Sequence, residues 1–331
     1  MDTVELGRTG QRVTHLSLGC MLMGTATDEA TSMRMLDRYL EAGGGFLDTA
    51  NCYAWWVSPD ARGDESETLL GRWFARGGRR DEVFLSTKVG GMVREPAYTS
   101  DGRPDWSRLQ FEGVAAGTVR RSVDESLRRL GTDRIDLLYV HVDDRNTPLE
   151  ETLEALAGVV SAGKVRYLGW SNVRVWRVER ARQLCERYGW PAPVAVQLPH
   201  SYLRPRPGLA NSSIVDEQWL DYLRANEEVS LVAYSPILKG IYDPAKRQGH
   251  WVTDNYKGPD ADARLAALDE LAAELGANPN QLVVAWLLHQ ARPAVLPLIG
   301  PRTLEQFEDL LPALDIKLDA EQLARLDSAG A

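Results

Sequence analysis

Cysteine is scarce and scattered in this chain of 331 residues. Cys20, Cys52 and Cys185 are the three cysteines, and no C-x-x-C pair occurs among them. Small disulfide-bonded scaffolds carry even sets of cysteines at regular spacings, so a disulfide framework is not expected here. Free, dispersed cysteines favour a reducing compartment, and we expect a cytoplasmic protein.

A basic surface, a signal sequence and a long apolar run are also missing. Acidic residues outnumber basic ones by 47 to 38, a formal charge of −9, which argues against sequence-independent binding of nucleic acid. The start, MDTVELGRTGQ, lacks the basic-then-apolar pattern of a signal peptide. Apolar runs are as short as LVVAWLL at 282–288, which does not span a bilayer. We therefore expect no nucleic-acid or membrane partner, and the sequence gives no indication of an oligomeric state.

What the sequence does contain is a regular alternation of strand-like and helix-like segments. Eight short apolar runs predict strands at 13–18, 45–49, 83–87, 135–140, 165–170, 194–198, 230–234 and 294–299. Amphipathic segments predict helices at 28–42, 64–76, 112–130, 148–161, 174–188, 215–227, 262–275, 279–290 and 303–311. Such alternation is typical of α/β folds in which right-handed crossovers join parallel strands. Eight units without a linker favour one (β/α)8 TIM barrel domain over 1–331 rather than an open doubly wound sheet.

The first residues and three loops add detail to this barrel. The Gly-containing VELGRTGQRVTHL predicts an N-terminal β-hairpin that caps the bottom of the barrel, and 319–330 predicts a final helix. The connections at 89–111, 199–214 and 235–261 exceed the usual few residues. All three follow strand C-terminal ends, where barrel enzymes build their sites, so we expect the functional site at that face.

Three consecutive predicted strands end in ionisable residues. Asp48 ends the second strand, Lys88 the third and His141 the fourth, while Tyr53 follows shortly after Asp48. Because neighbouring strands lie about 4.8 Å apart, these side chains are expected to converge at one rim. Each residue alone has an ordinary structural explanation. Asp48 could cap a helix and Lys88 could be solvated, whereas His141 and Tyr53 could simply pack in the core. Their joint placement favours a functional cluster.

The chemistry of these four residues predicts proton delivery to a carbonyl group. A phenol has a pKa of about 10, and a neighbouring ammonium is expected to lower it. A carboxylate keeps a buried ammonium charged, and a neutral imidazole positions a carbonyl oxygen. No nucleophile or metal-ligand cluster accompanies the set, so no metal is expected. The missing reactant is a hydride, which side chains do not supply, so a cofactor is implied.

Several motifs, in order, give the chain a resemblance to the aldo-keto reductase superfamily. They are LGRTGQRVTHLSLG, FLDTANCY, STKVGG, HVDD, KVRYLGWSN, VQL, AYSPILKG and LIGPRTLEQFEDL, and they cover essentially the whole chain. The resemblance implies Tyr53 as general acid in reduction and general base in oxidation. It implies that Lys88 and Asp48 tune the phenol, and that His141 orients the substrate or shares the proton relay. The activity it implies is reversible, NADPH-dependent reduction of an aldehyde or ketone.

The resemblance also implies an extended nicotinamide cofactor across the barrel mouth, without the strand-linked G-x-G-x-x-G fingerprint that this chain lacks. The implied contacts are Ser171, Asn172 and Gln197 at the carboxamide, Tyr234 beneath the nicotinamide, Ser235, Pro236, Leu238 and Gly240 at the pyrophosphate, and Gly300, Arg302 and Gln306 at the adenosine end. Gly300 allows close approach of backbone to phosphate, and a helix starting near Thr303 offers free N–H groups. Arg302 supplies a cation for a 2′-phosphate, so NADPH is expected. A solvated Arg302 with equal use of NADH stays open as the alternative.

Some positions depart from the family's usual pattern. Trp170 stands where a smaller apolar residue is usual before Ser-Asn, and Asp309 and Leu310 replace a common Glu-Asn pair near the adenine. The adenine contacts are therefore left open. Candidate phosphate partners without an assigned match in the 235–261 loop are Lys239, Lys246, Arg247 and Lys257.

Aromatic residues beside the phenol suggest where the substrate binds. Trp55 and Trp56 follow Tyr53 closely, and we predict that one of them contacts the substrate. Other loop residues considered for this role are Trp106, Tyr202, Trp251, Arg204 and Arg206. For these, anchoring of a loop or solvation of a charge is the simpler interpretation. The polar loops suit a sugar or a hydroxyketone.

Two other functions stay open on the same fold. The resemblance extends to auxiliary β subunits of potassium channels, so one alternative is a cofactor-binding protein that acts through partners. No long N-terminal extension is present for such a role, which makes it less expected. The other alternative is an aldolase that uses Lys88 as a Schiff-base nucleophile. The expected pairing of Lys88 with Asp48 and Tyr53 argues against it.

Overall fold

The computed structural model describes residues 1–58, 60–100, 104–105, 108–206, 208–209 and 213–330. Its strands are β1 (Thr3–Glu5), β2 (Arg12–Thr14), β3 (Ser17–Gly19), β4 (Phe46–Asp48), β5 (Phe84–Val89), β6 (Val93–Glu95), β7 (Gln110–Phe111), β8 (Ile135–Val140), β9 (Val165–Ser171), β10 (Pro193–Pro199), β11 (Ser230–Tyr234) and β12 (Val295–Ile299). Eight of them, β3, β4, β5 and β8 to β12, close in chain order into a barrel of parallel strands. The predicted (β/α)8 barrel is confirmed.

Helices surround the barrel at nearly the predicted positions. The α-helices are α1 (Glu29–Glu41), α2 (Glu65–Gly77), α3 (Ala116–Leu130), α4 (Leu149–Ser161), α5 (Val175–Tyr188), α6 (Glu217–Ala225), α7 (Pro244–Arg247), α8 (Pro259–Leu275), α9 (Pro279–Leu288), α10 (Leu304–Leu310) and α11 (Ala320–Ser328). Short 3-10 helices occupy Arg79–Glu82, Leu238–Gly240, Trp251–Asn255 and Leu311–Leu314. The local sequence explains some helix ends. Asn278 and Gln281 form a capping box before α9, and Gly131, at φ 61°, ends α3.

The barrel interior is apolar, and the N-terminal hairpin closes one end of it. Strands β4, β5, β8 and β12 bury every residue, because side chains fill the barrel inside and helices cover it outside. Leu6 and Val13 of the hairpin β1–β2 belong to the same cluster as Phe46, Leu137 and Leu296 of the barrel strands. The predicted hairpin cap is therefore confirmed.

Two predicted boundaries are wrong. The strand expected at 13–18 is divided between hairpin strand β2 and barrel strand β3. His15 lies between them, with its main-chain N–H bonded to the Asp2 carbonyl oxygen at 3.0 Å and its Nε2 at 2.9 Å from the Val295 carbonyl oxygen. The helix expected at 112–130 begins at Ala116, because the carboxylate of Glu112 turns inward to accept hydrogen bonds from the loop after β4 and from α3.

The long connections carry local structure that the sequence did not predict. Strands β6 and β7 form an antiparallel pair within 89–111, and α7 with two 3-10 helices lies within 235–261. Trp106 lies outside the described residues. Within the part of the chain that the structure describes, no helix is both long and apolar enough to cross a membrane.

Candidate active site

A buried network of charges lies at the C-terminal ends of β4 and β5. The side chains of Lys88 and Asp48 are 0% and 1% exposed. Lys88 Nζ donates to Asp48 Oδ2 at 2.5 Å, to the Tyr53 hydroxyl at 2.6 Å and to the Thr49 carbonyl oxygen at 2.8 Å. These three bonds use every donor of an ammonium group. The structure thus joins three of the four residues of the predicted cluster, Asp48, Tyr53 and Lys88, by hydrogen bonds.

Strand register explains how the carboxylate is held. Asp48 is paired with Ser86, and Lys88 with Tyr139, across the neighbouring strands. Ser86 and Lys88 are two residues apart on β5, so they project to the same side. Ser86 Oγ donates to Asp48 Oδ1 at 2.6 Å, and Gln197 Nε2 donates to the same oxygen at 2.8 Å. Both carboxylate oxygens are hydrogen-bonded, which is the condition for burying such a charge.

Tyr53 lies in a constrained loop and stays protonated. Ala54, the next residue, has φ 65°, a left-handed conformation that costs a non-glycine residue about 1 kcal/mol or more. Burial raises the pKa of Tyr53 well above its usual value, and the Asp48 charge raises it further. Burial also lowers the pKa of Lys88, although Asp48 opposes this effect. The net shift of the Tyr53 pKa is upward, with burial as its largest cause. The lowering contribution of Lys88 stays a prediction.

His141 follows β8 and packs edge-on against the phenol. Its ring centroid lies 5.6 Å from that of Tyr53, with the two planes at 85°. The main-chain N–H donates to the Val89 carbonyl oxygen at 2.9 Å, and Nδ1 lies 3.2 Å from Cys52 Sγ. Burial, with the nearby Lys88 charge, lowers the pKa of His141 to about 3. The imidazole is therefore neutral at neutral pH, which agrees with the expectation from the sequence.

A second network, of neutral side chains, continues around the rim from β9 to β11. Asn172 Nδ2 donates to Ser171 Oγ at 3.1 Å and to the His141 carbonyl oxygen at 2.9 Å. Its Oδ1 accepts from the Tyr234 hydroxyl at 2.8 Å. Ser171 Oγ donates to the Gln197 carbonyl oxygen at 2.8 Å. The four residues predicted at the nicotinamide end thus lie together, and the Gln197 side chain joins them to the charged network.

Backbone strain is concentrated at the same face of the barrel. Among the described residues, those other than glycine with positive φ are Ala54, Asn172, Ser235, Leu238 and Lys239. All of them lie in loops that follow barrel strands. Conformations of this kind cost of order 1–3 kcal/mol and persist mainly where function requires them. The turn after β11 holds three of the five, so its shape is closely specified.

The comparison with known families decides what kind of protein this is. The model of the Aldo/keto reductase family matches residues 15–331. The chain belongs to the aldo/keto reductase family. This reductase is 35% identical to a Bacillus subtilis (strain 168) protein described as uncharacterized oxidoreductase YrpG, over 99% of this chain and 95% of that one. It is 33% identical to norsolorinic acid reductase stcV of Emericella nidulans, over 96% of this chain and 78% of that one.

A solved structure shows the same architecture. The crystal structure of the thermostable aldo-keto reductase Tm1743, in complex with the inhibitor epalrestat, matches with a TM-score of 0.72 and 27% identity, covering 99% of each chain. As a member of this family of oxidoreductases, the protein has carbonyl reduction as its general chemistry, and the family typically uses nicotinamide cofactors. In the described residues, no group of three or more His, Cys, Asp or Glu is arranged to hold a metal ion.

Two cations at the rim of this reductase fit the phosphates of such a cofactor. Burial lowers the pKa of Lys239, and the charge of Arg302 lowers it further, so the two cations lie within electrostatic range of each other. Across the described ranges, neither has a carboxylate within ion-pair distance. At Gly300 no atom lies within 4 Å of where a Cβ would be, so the backbone there is open to a ligand. Neighbouring cations without an acidic partner are the donor set that a phosphate requires.

One predicted phosphate-binding feature is partly occupied by the chain itself. The helix expected near Thr303 is the seven-residue α10. Thr303 Oγ1 accepts from the Gln306 N–H at 3.1 Å, and Gln306 Oε1 accepts from the Arg302 N–H at 2.9 Å. Gln306 therefore shapes this turn, and the expectation of free N–H groups at the helix start is wrong for these two positions.

The turn after β11 contains the four residues predicted at the pyrophosphate. The Leu238 N–H donates to the Ser235 carbonyl oxygen at 3.0 Å, and the Leu238 side chain is buried. Ser201 Oγ donates to the Pro236 carbonyl oxygen at 2.5 Å, and Gly240 has φ 88°. These contacts fix the shape of the turn that follows Tyr234 of the neutral network and carries Lys239.

The two tryptophans after Tyr53 pack against each other beside the charged network. Trp55 is buried, and its ring lies 5.8 Å from that of Trp56, nearly perpendicular to it, and 6.4 Å from that of Tyr98. Trp56 is partly buried and, like Met92, packs against the buried cluster of Ala50, Cys52 and Tyr53. Trp56 thus combines proximity to the phenol with partial exposure, as a substrate contact requires.

Other loop residues have structural surroundings. Tyr202 is buried, and its hydroxyl donates to the Leu326 carbonyl oxygen at 3.0 Å, in agreement with loop anchoring. Trp251 is 64% exposed, with Lys239 Nζ 5.3 Å above its ring. Arg204 and Arg206 are exposed, as expected of surface charges.

The residues that depart from the family pattern pack into the structure. Trp170 is buried, and its indole nitrogen has no hydrogen-bond partner among the described residues. Leu310 is buried in the core between α1, α9 and α10. The Asp309 carbonyl oxygen accepts from Gln281 Nε2 at 2.5 Å.

Sequence reasoning missed two side chains that contact the predicted catalytic residues, Ser86 at Asp48 and Cys52 at His141. Ser86 carried a signal, since it precedes Lys88 by two residues in a strand and must face the same side. Cys52 carried none, because its contact with His141 joins the loop after β4 to the end of β8. That contact depends on how the loop packs and not on any spacing in the sequence.

Proposed function

We propose that this protein is an NADPH-dependent oxidoreductase that reversibly reduces an aldehyde or ketone to the alcohol, with Tyr53 as the proton donor. The observation that carries the proposal is the buried row Asp48–Lys88–Tyr53, in which the ammonium nitrogen lies 2.6 Å from the phenol oxygen. A phenol that is protonated at neutral pH has a proton to give to a carbonyl oxygen.

Lys88 and Asp48 make the loss of that proton feasible. As Tyr53 gives up its proton, a phenolate develops beside the ammonium group of Lys88, which stabilises it. Asp48 keeps Lys88 charged in spite of its complete burial. The groups are already in place, so little reorganisation accompanies the transfer. The ammonium therefore acts during proton transfer, although the resting pKa of Tyr53 is high.

His141 is proposed to orient the carbonyl group. Its neutral imidazole stands edge-on to the phenol, so both rings reach one substrate oxygen. A neutral ring also avoids placing a second positive charge beside Lys88, where it would oppose the ammonium.

A bound nicotinamide cofactor supplies the hydride for this reaction. We assign its nicotinamide end to the neutral network of Ser171, Asn172, Gln197 and Tyr234. Its pyrophosphate is assigned to the turn after β11, with Ser235, Pro236, Leu238 and Gly240. Its adenosine end is assigned to the loop after β12, with Gly300, Arg302 and Gln306. Arg302 and Lys239 are neighbouring cations without an acidic partner in the described chain, which favours the additional phosphate of NADPH over NADH.

The substrate side is assigned to Trp55 and Trp56. They stand beside Tyr53, and aromatic faces at a barrel mouth suit stacking on a sugar or a hydroxyketone. The aldolase alternative is disfavoured by the geometry: Lys88 donates three hydrogen bonds, as an ammonium group does, and an ammonium group has no free electron pair for attack on a carbonyl.

The test follows the near-ultraviolet absorbance of NADPH, and then of NADH, against a panel of aldehydes, ketones and aldoses, for the wild type and Tyr53→Phe. We expect wild-type oxidation of NADPH that falls by about 10²–10⁴-fold in Tyr53→Phe, with cofactor affinity kept, because only the proton donor is removed. Tyr188→Phe, in an exposed tyrosine on α5, is the matched control and should match the wild type. Wild-type turnover in Tyr53→Phe would overturn the role of Tyr53. Tight cofactor binding without any turnover would instead favour a protein that acts through partners.

A further inference from the structure

We propose that Cys52 is a positioning residue that fixes the tautomer of His141, so that the imidazole presents an N–H at Nε2 to the carbonyl oxygen of the substrate. The use of that N–H rests on the proposed function, whereas its cause is a contact within this chain: Cys52 Sγ lies 3.2 Å from His141 Nδ1. Which nitrogen of a neutral imidazole carries the proton is set by the hydrogen bond that the other nitrogen makes.

The contact is enclosed by the loop after β5. A Cβ at Gly91 would lie 2.7 Å from His141 Nδ1, closer than such atoms approach, and 3.1 Å from Cys52 Sγ, an unusually tight contact. The backbone of Gly91 therefore covers the pair, and the absence of a side chain there makes room for it. Within the described residues, Cys52 is the hydrogen-bond partner of the His141 ring. Little else competes for Nδ1.

Both partners are neutral, which limits what the contact does. Burial raises the pKa of Cys52 to about 12 and lowers the pKa of His141 to about 3, the latter with help from Lys88. The pair is thus a thiol and an imidazole, so Cys52 is not activated as a nucleophile. One proton lies between Sγ and Nδ1. Sulfur is a weak acceptor and an imidazole nitrogen a good one, so the thiol donates and the ring proton resides on Nε2.

This tautomer suits the proposed reduction. Tyr53 offers an O–H, and His141 then offers an N–H, so a carbonyl oxygen between the edge-on rings meets two donors. The other tautomer would turn an electron pair of Nε2 toward the oxygen, and the substrate would lose one of its two orienting contacts. Cys52 thereby influences the reaction through His141, without touching the substrate.

The test is long-range proton–nitrogen NMR of histidine-labelled protein, with the His141 signals assigned from a His141→Gln variant. We expect the wild type to carry the proton on Nε2. Cys52→Ala and Cys52→Val introduce side chains that are smaller and bulkier than cysteine. Both remove the thiol donor and should raise the population of the Nδ1-protonated form of His141. Cys52→Ser keeps a donor and should retain the wild-type tautomer. Cys185→Ala, which removes a buried thiol on α5, is the control and should leave the His141 spectrum unchanged.

Kinetics separate a positioning role from loss of packing. In both Cys52→Ala and Cys52→Val we expect kcat/KM for the carbonyl substrate to fall by about two- to tenfold, which corresponds to the loss of one neutral hydrogen bond. The cofactor Kd should stay unchanged in both variants. Cys52→Ser should have a kcat/KM near that of the wild type. A wild-type proton on Nδ1, or an unaltered tautomer in both donor-free variants, would overturn the proposal. A wild type that turns over no carbonyl would overturn the proposed function alone, because the NMR result does not depend on turnover.

Discussion

Around the barrel mouth, strands β4, β5 and β8 contribute ionisable side chains, whereas β9, β10 and β11 contribute amides and hydroxyls. In the first half, Lys88, Asp48 and Tyr53 share one buried network. In the second half, Asn172 links its neighbours through hydrogen bonds between neutral groups. The Gln197 side chain is the bridge between the two halves, because it donates to Asp48 from β10.

The two halves should differ in what the loss of a single group costs. Removal of one member of a buried charge pair leaves the other charge without compensation and costs about 3–5 kcal/mol. Loss of one neutral hydrogen bond costs only about 0.5–1.5 kcal/mol. The charged half therefore has to be complete for both stability and proton transfer, while the neutral half is built to tolerate partial loss.

The largest effect is expected from Asp48→Asn in the charged half. Lys88 would lose its counterion, so we expect the free energy of unfolding to fall by about 3–5 kcal/mol. Carbonyl turnover should fall by about 10²–10⁴-fold, because the ammonium group is no longer kept charged beside Tyr53. Urea unfolding and steady-state kinetics measure the two effects.

Ser86→Ala is the matched control for that variant. Ser86 donates to the same carboxylate at 2.6 Å, yet its removal leaves the Asp48–Lys88 pair intact. We expect a loss of stability of about 1.5–3 kcal/mol, as for a hydrogen bond to a charged group, and most of the turnover to be kept. Equal losses in the two variants would contradict the view that the charge pair dominates this half.

The cations at the outer edge of the neutral half should decide between the two cofactors. If Arg302 binds the 2′-phosphate, Arg302→Ala should raise the KM for NADPH by about 10–100-fold. This is the change in affinity that corresponds to the loss of one charge-assisted hydrogen bond. The KM for NADH should stay the same, since NADH has no such phosphate. Arg187→Ala, at the far end of α5, is the control. Equal KM values for NADPH and NADH in the wild type would contradict the preference for NADPH.

Each half also has a histidine that resists protonation, which predicts acid sensitivity. Burial is the main cause that lowers the pKa of His141 to about 3 and that of His200, after β10, to about 4. In the unfolded chain both take up a proton near pH 6.5, so the unfolded state binds more protons between about pH 6.5 and 4. Stability is therefore lost as the pH falls through that window.

The expected slope is up to about 1.4 kcal/mol per pH unit for each histidine. Unfolding free energies measured by urea at several pH values test it. His200→Gln should remove part of the slope without affecting the proton donor. A wild-type stability that is flat across this window would show that the histidines protonate freely in the folded protein.

The positions of the ionisable residues were predictable because a parallel barrel brings all strand ends to one rim. Asp48, Lys88 and His141 could be placed from the ends of apolar runs alone, and strand alternation would have added Ser86. The same reasoning placed the hairpin cap, since Leu6 and Val13 are apolar residues on either side of a Gly-containing turn. In these cases a short-range pattern determines the position.

Properties that depend on loop packing could not be predicted. The pKa of Tyr53 rises because the loop from Ala50 to Trp55 buries the phenol, which no spacing reveals. The inward turn of Glu112 and the antiparallel pair β6–β7 arise within a long connection whose composition is typical of a loop. The contact between Cys52 and His141 likewise depends on a loop conformation, so its chemistry became apparent only in three dimensions.

The smallest effect is expected from Tyr234→Phe, which makes in the neutral half the same chemical change that Tyr53→Phe makes in the charged half. Only the hydrogen bond from the Tyr234 hydroxyl to Asn172 Oδ1, at 2.8 Å, is lost, and the ring proposed to lie beneath the nicotinamide is kept. We expect the cofactor Kd to rise by about two- to tenfold, as for one neutral hydrogen bond, with kcat nearly unchanged. Titration of cofactor binding and steady-state kinetics measure the two quantities. If Tyr234→Phe lowered kcat as strongly as Tyr53→Phe, the neutral half would take part in proton transfer, and the division between the two halves would fail.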